Sequence, residues 1–284
     1  MQTIGEHELW SFFDFSRKSK RARNNEIRKA PGHPVKSYLE LATKVAELQF
    51  RNRDHVLLFR GQGGDHRNRN NHTTLKPSLF RSLKDANVNP SSAEIIARFE
   101  QLRKAEEKLV SKYVRDGFLG KTRLRKHQAV RWSILQHYEV CPTPLLDVTH
   151  SLRIACSFAS LRSKSEAFIF VLGVPNLSGA ITASAEAALQ INRLSSVCPP
   201  SAVRPHIQEG YLLGEYPELT DPKQKGLYQD HEIDFGRRLV AKFLVNPKTF
   251  WTNDAFPRVE EIALYPDEGD DPLYRLALEV KGEL

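Results

Sequence analysis

The sequence predicts an α+β fold, with helices dominating its first half and a small mixed or antiparallel sheet in its second. Two capping-box patterns, Ser37 with Glu40 and Ser91 with Glu94, each open an apolar-striped segment in the first half. The clearest strand pattern, Ala167-Phe168-Ile169-Phe170-Val171-Leu172, falls in the second. No period of solenoid or propeller length runs through the chain. Helices segregated from strands in this way point to α+β.

Residues 1–34 read as a separate basic arm and 35–284 as one domain. In the arm, aromatic Trp10, Phe12, Phe13 and Phe15 precede Arg17-Lys18-Ser19-Lys20-Arg21-Ala22-Arg23, and Pro31-Gly32-His33-Pro34 closes the stretch. A helix is expected over 37–49, with Leu39, Ala42, Val45 and Ala46 on its apolar face. Val56-Leu57-Leu58-Phe59 reads as a buried strand that delivers Arg60-Gly61 at its C-terminal end. Polar residues 62–74 form a loop long enough to be functional.

The longest helix is expected over 91–116, on the stripe Ile95, Ile96, Phe99, Leu102, Leu109, Val110 and Tyr113. A basic link over 121–127 leads to a helix near 128–139, and Pro142-Thr143-Pro144 makes a turn. A further apolar helix carries Ile154, Ala155, Cys156, Phe158 and Ala159. Short strands are expected near 190–194, 202–207, 239–245 and 273–280, with a helix around 256–263.

Lys and Arg total 42 against 34 Asp and Glu, and the resulting +8 favours polyanionic partners such as nucleotides or nucleic acid. A soluble basic protein without such a partner fits the same balance. Arg17, Lys18, Lys20, Arg21 and Arg23 are the candidate phosphate contacts. Cys141, Cys156 and Cys198 are widely spaced and odd in number, which argues against a disulfide framework or zinc site and for a reducing compartment. No segment approaches the ~20 apolar residues of a membrane span, and the N-terminus lacks a signal core. A cytoplasmic location is therefore expected. Walker, dinucleotide, nucleophile-elbow and metalloprotease motifs are missing, and His66 and His72 form no metal-ligand pattern.

Three ordered segments stand out. The first is His55-Val56-Leu57-Leu58-Phe59-Arg60-Gly61-Gln62, followed by Leu75-Lys76-Pro77-Ser78-Leu79-Phe80-Arg81. The second is Leu135-Gln136-His137-Tyr138, then Pro142-Thr143-Pro144-Leu145-Leu146-Asp147-Val148-Thr149-His150-Ser151. The third contains Gln208-Glu209-Gly210. In order and spacing they resemble the FRG domain family, over about residues 37–270. Val148 stands where the family usually has an aromatic residue, Pro144 where it often has Arg, and Glu209 where it commonly has Gln.

A more distant similarity links Arg60-Gly61 to the first motif of arginine-type ADP-ribosyltransferases, with Thr149, Ser151 and Glu209 following in the same order. That similarity implies an NAD-using enzyme, a transferase or glycohydrolase without a metal, and the family resemblance implies a setting in toxin or phage-defence biology. Arg60 would then clamp pyrophosphate bidentately, and Gly61 would let the backbone approach a nicotinamide carboxamide. Thr149 or Ser151 would bond phosphate or ribose at a helix start. Glu209 would act with Arg60 in catalysis by stabilising an oxocarbenium-like centre. Gln62, His137, Asp147 and Gln208 complete the expected cofactor-binding set.

Architectural readings stand beside these. Arg60 can pair with Asp147 to fix the domain, Gly61 can serve a tight turn, and Thr149 or Ser151 can be helix caps. His137 can be a general base or a helix-face residue bonded to a carbonyl. A nucleic-acid-binding module and a structural, partner-binding module are the competing functions.

Overall fold

The structure, a computed structural model, describes residues 4, 7–82, 89–163, 165–227, 233–252 and 255–284. Along the chain come β1 (Glu8–Ser11), β2 (Lys20–Arg23), α1 (Asn24–Lys29), β3 (His33–Val35), α2 (Tyr38–Arg51) and β4 (Val56–Gln62). Next are α3 (Ser92–Arg115), α4 (Lys121–Lys126), α5 (Gln128–His137), β5 (Leu146–Thr149), α6 (Leu152–Arg162) and β6 (Ala167–Val174). The remaining strands are β7 (Ile181–Ser184), β8 (Leu189–Arg193), β9 (Gly210–Glu215) and β10 (Leu239–Val245). Short helical turns and a C-terminal helix, Pro272–Gly282, complete the described elements. The class is α+β, as expected.

The chain divides into two compact units. Unit 1 comprises Met1–Leu75, Val148–Leu177 and Asp234–Glu261, and unit 2 comprises Lys76–Asp147, Ser178–Ile233 and Ile262–Leu284.

In unit 1 the strands run β3-β10-β6-β4-β5. β10 lies parallel to β3 and antiparallel to β6, and β4 pairs antiparallel with β6 and, at Phe59 opposite Thr149, with β5. Ile169, Phe170, Val171 and Leu172 of β6 are all fully buried. A central strand covered on both faces shows a continuous apolar run in sequence. β4 runs on to Gln62, so Phe59-Arg60-Gly61 lies inside the hydrogen-bonded ladder and not beyond its end.

The expected N-terminal arm is not separate. β1 and β2 form an antiparallel hairpin, α1 follows directly, and β3 joins the main sheet. Leu9, Phe12, Ala22 and Ile27 are buried, and the Asn24 amide donates to the carbonyls of Gly236 and Leu239. The basic run conceals a strand in which only Ala22 is buried, so its charged residues mask it in the sequence. α2 also departs in detail. Ser37 accepts from the Glu40 N–H, but Glu40 reaches back to the Lys36 N–H. Its buried stripe is Leu41, Val45 and Leu48, with Leu39 and Ala46 exposed.

In unit 2, β9, β8 and β7 form an antiparallel meander. α3 carries the full capping box and buries Ile95, Phe99, Leu102, Leu109 and Tyr113, while Ile96 faces solvent. Two expected strands are helical. Residues 204–207 form a helical turn with Pro205 near its start, and 273–280 lie inside the C-terminal helix. Asp271 caps that helix, Pro272 fits its first turn, and Leu273, Leu276, Ala277 and Val280 bury one face. The helix expected over 256–263 is only the turn Glu261–Leu264. Among the described residues no helix is long and apolar enough to cross a membrane.

Candidate functional site

The expected site residues fall into both units. Arg60, Gly61, Gln62, Thr149 and Ser151 belong to unit 1, while His137, Asp147, Gln208 and Glu209 belong to unit 2.

In unit 1 the two-residue alternation of β4 separates the motif's chemistry. Phe59 and Gly61 share one face, Arg60 and Gln62 the other. A Cβ built on Gly61 would stand 1.8 Å from the Ala155 carbonyl oxygen and 2.8 Å from the Ala159 nitrogen of α6. The missing side chain therefore admits a helix backbone, where the sequence reading expected either a ligand ring or a tight turn. Ala155 and Ala159 supply the matching small surface on the helix.

Thr149 is buried opposite Phe59, and its Oγ1 accepts from the Ser151 N–H at 3.0 Å. Ser151 occupies the N-cap of α6 without a side-chain cap bond. The expectation that a hydroxyl caps this helix is corrected: the Thr149 hydroxyl instead closes the turn that leads into it. Because paired antiparallel residues share a face, Thr149 points with Phe59, on the side opposite Arg60.

The Arg60 face has its own composition. Arg60 lies opposite Phe170, Gln62 opposite Phe168, and the same row continues through Lys242 and Leu244 of β10. Gln62 Oε1 is buried with no hydrogen-bond partner. The loop after β4 supplies Asp65, whose carboxylate takes Lys242 Nζ at 2.6 Å, Arg67 Nε at 2.9 Å and the Thr73 hydroxyl at 2.7 Å. Lys242 also donates to Thr73 Oγ1 at 2.7 Å and is 1% exposed. Burial pushes its ammonium below the usual lysine range, against the pull of Asp65. Arg28 continues the network, donating to the Thr73 carbonyl at 2.9 Å and pairing with Asp234, which in turn accepts the Leu75 and Gly236 N–H groups. Lys242 and Asp65 were not singled out in sequence. A lysine inside an apolar strand run was the available signal.

Unit 2 holds a second polar group, centred on Gln136. Its Oε1 accepts from the Thr143 hydroxyl at 2.5 Å and the Ser78 hydroxyl at 3.2 Å, while its Nε2 donates to Asp147 Oδ2 at 2.6 Å. The other Asp147 oxygen lies 3.9 Å from His137 Nδ1, outside hydrogen-bond range. His137 is buried, and its Nε2 has no partner. The sequence reading chose His137 and Asp147 and passed over Gln136, although it is the next residue in the same motif.

Behind this group, the buried Arg204 guanidinium lies 5.0, 5.2 and 4.5 Å from the rings of Tyr138, Tyr265 and Tyr274. It also donates to the His137 carbonyl at 3.4 Å, which ties the cation–π cage to the site. Gln208 is buried and donates to the Leu264 carbonyl at 2.7 Å. Glu209 is exposed, with a left-handed backbone at φ 45°, where the chain turns out of the helical turn into β9.

Among the described residues, no group of three or more His, Cys, Asp or Glu side chains is arranged to hold a metal. All three cysteines are free and buried, and burial pushes the Cys141 thiol up to about 12. In the comparison with family models, the FRG domain matches residues 55–167. No curated protein and no solved structure matches the chain.

Proposed function

From the FRG domain carried by residues 55–167, we propose that this protein is a nucleotide-binding enzyme that uses NAD, for ADP-ribosyl transfer or NAD glycohydrolysis. One observation carries the reading: Arg60 and Gln62 share a face of β4, and the Gln62 Oε1 is a buried acceptor with no partner. An unmet buried acceptor costs about 1–3 kcal/mol, which a ligand donor recovers on binding. A carboxamide or ribose hydroxyl has the required N–H or O–H. Arg60 on the same face offers a planar fork to pyrophosphate, and the Asp65–Lys242 network keeps the following loop in place. The toxin or phage-defence setting belongs to this proposal, as the biology in which NAD consumption would serve.

Incubation with NAD, followed by mass spectrometry of nicotinamide release and of modified proteins, tests the reading. Wild-type turnover with loss in Arg60→Ala, at an unchanged unfolding midpoint, supports it. No turnover by folded wild-type protein removes it. An architectural role for part of the motif has its own support, since Gly61 makes room for α6.

A further inference from the structure

We propose that the outer face of the β1–β2 hairpin, together with the C-terminal end of α2, binds single-stranded nucleic acid. The surface lies wholly in unit 1 and stands independently of the NAD reading. In the hairpin register Trp10 pairs with Arg21 and Glu8 with Arg23, so Trp10, Arg21 and Arg23 share the outward face. Asn52, at the end of α2, fixes β1 to the helix. It accepts from the Trp10 N–H and donates to the Trp10 carbonyl, both at 3.0 Å. That clamp brings the arginines of α2's end onto the same surface. The Arg51 guanidinium lies 4.3 Å and that of Arg21 5.9 Å from the Trp10 ring centroid, and that of Arg53 lies 4.4 Å from Phe50's.

Two large aromatic side chains remain open here, Phe50 at 66% and Phe15 at 73% exposure. Phe15 sits in an ordered hairpin loop, where Asp14 accepts the Ser16 N–H and the Ser16 hydroxyl donates to the Lys18 carbonyl. The nearby acids are largely engaged: Asp14 holds Lys20 at 2.7 Å, and Glu47 holds Arg51 at 3.0 Å and Ser19. Glu8 faces Arg23 across the hairpin. Arg17, Lys18, Arg21 and Arg53 are exposed and stand in no salt bridge among the described residues.

Cations interleaved with open rings match a phosphate backbone whose bases are free to stack. A duplex keeps its bases inside. The helices at this surface do not present a face to a groove: α1 is six residues long and buries Ile27 and Arg28, and α2 contributes only its C-terminal end, which Asn52 holds against β1. Single strands are therefore the chemistry it fits.

The test is fluorescence anisotropy of a labelled oligothymidylate titrated with the full chain. A matched duplex and vesicles of phosphatidylcholine with phosphatidylserine serve as rival partners. Single-strand binding should weaken about 50-fold between 50 and 200 mM salt if about four phosphates are neutralised. The triple variant Arg17→Glu/Lys18→Glu/Arg21→Glu should lose at least about tenfold in affinity, and Phe50→Ala about fivefold or more. Phe50→Ala removes only an exposed ring, so it reads the surface even if the triple variant fails to fold. No binding at low salt, unchanged affinity in both folded variants, or preference for duplex or vesicles would overturn the proposal.

Discussion

The polar clusters of the two units are built from different materials. In unit 1, Asp65, Lys242, Arg67, Thr73, Arg28 and Asp234 form a chain of charged contacts. In unit 2, a neutral amide, Gln136, holds two hydroxyls and one carboxylate, beside a buried imidazole nitrogen with no partner. Buried charge must be matched where it stands, so the first cluster fixes a loop against a strand. The second leaves the Asp147 side chain 38% exposed and the buried His137 Nε2 without a partner. Structural ion-pair networks perturb ionisable groups as functional sites do, so burial of a charge alone does not mark a site.

The comparison can be broken in order of expected effect. Gly61→Ala drives a Cβ into the α6 backbone, and we expect a loss of at least about 3 kcal/mol or failure to fold, measured by chemical denaturation. Asp65→Asn keeps the shape but leaves Lys242 and Arg67 without their anion. About 3–5 kcal/mol should be lost, the cost of breaking a buried pair from one side, and a cost near zero would show that the cluster is not holding unit 1. Gln136→Leu should cost less, about 1–3 kcal/mol, because water can reach the half-open Asp147. The same denaturation curves decide the ranking.

The smallest effect is in pH. Burial lowers His33, His55 and His72, all in unit 1, below the usual 6.5. Just below that pH the unfolded chain therefore binds more protons than the folded one, and stability falls as pH falls. The unfolding midpoint should drop modestly between pH 6.5 and 5.5, and the triple replacement by Gln should flatten the slope.

Much of this was legible before the structure, for physical reasons particular to each element. α3 declares itself because Ser91, Glu94 and a long 3–4 stripe agree, and β6 because it is apolar on both faces. β1 and β2 were hidden by charge, since of their side chains only Leu9, Ser11 and Ala22 are buried and most of the others are Lys, Arg or Glu, while β3 is three residues long with Pro34 at its centre. The C-terminal helix looks like a strand in sequence because Leu273 to Val280 is mostly apolar and short, whereas Asp271, accepting from the Leu273 and Tyr274 N–H groups, sets a helix start. At the site, the tripeptide's position on β4 was readable. Its division between two faces needed the register, and the roles of Gln136 and Lys242 needed partners distant in sequence.

Unit 1's interleaved chain path sets a schedule for its assembly. β6 requires β10 as a neighbour, β3 requires the same strand, and Asp65 requires Lys242. These partners are synthesised long after the segments they complete, so local contacts cannot finish this unit on the ribosome. The stretch matched by the family, 55–167, contains neither β3 nor β10. It also stops at the first residue of β6, so expressed alone it would leave β4 without that partner strand and Asp65 without Lys242. Residues 55–167 thus mark where the family's sequence pattern is concentrated, while the smallest piece able to fold extends well beyond both of its ends.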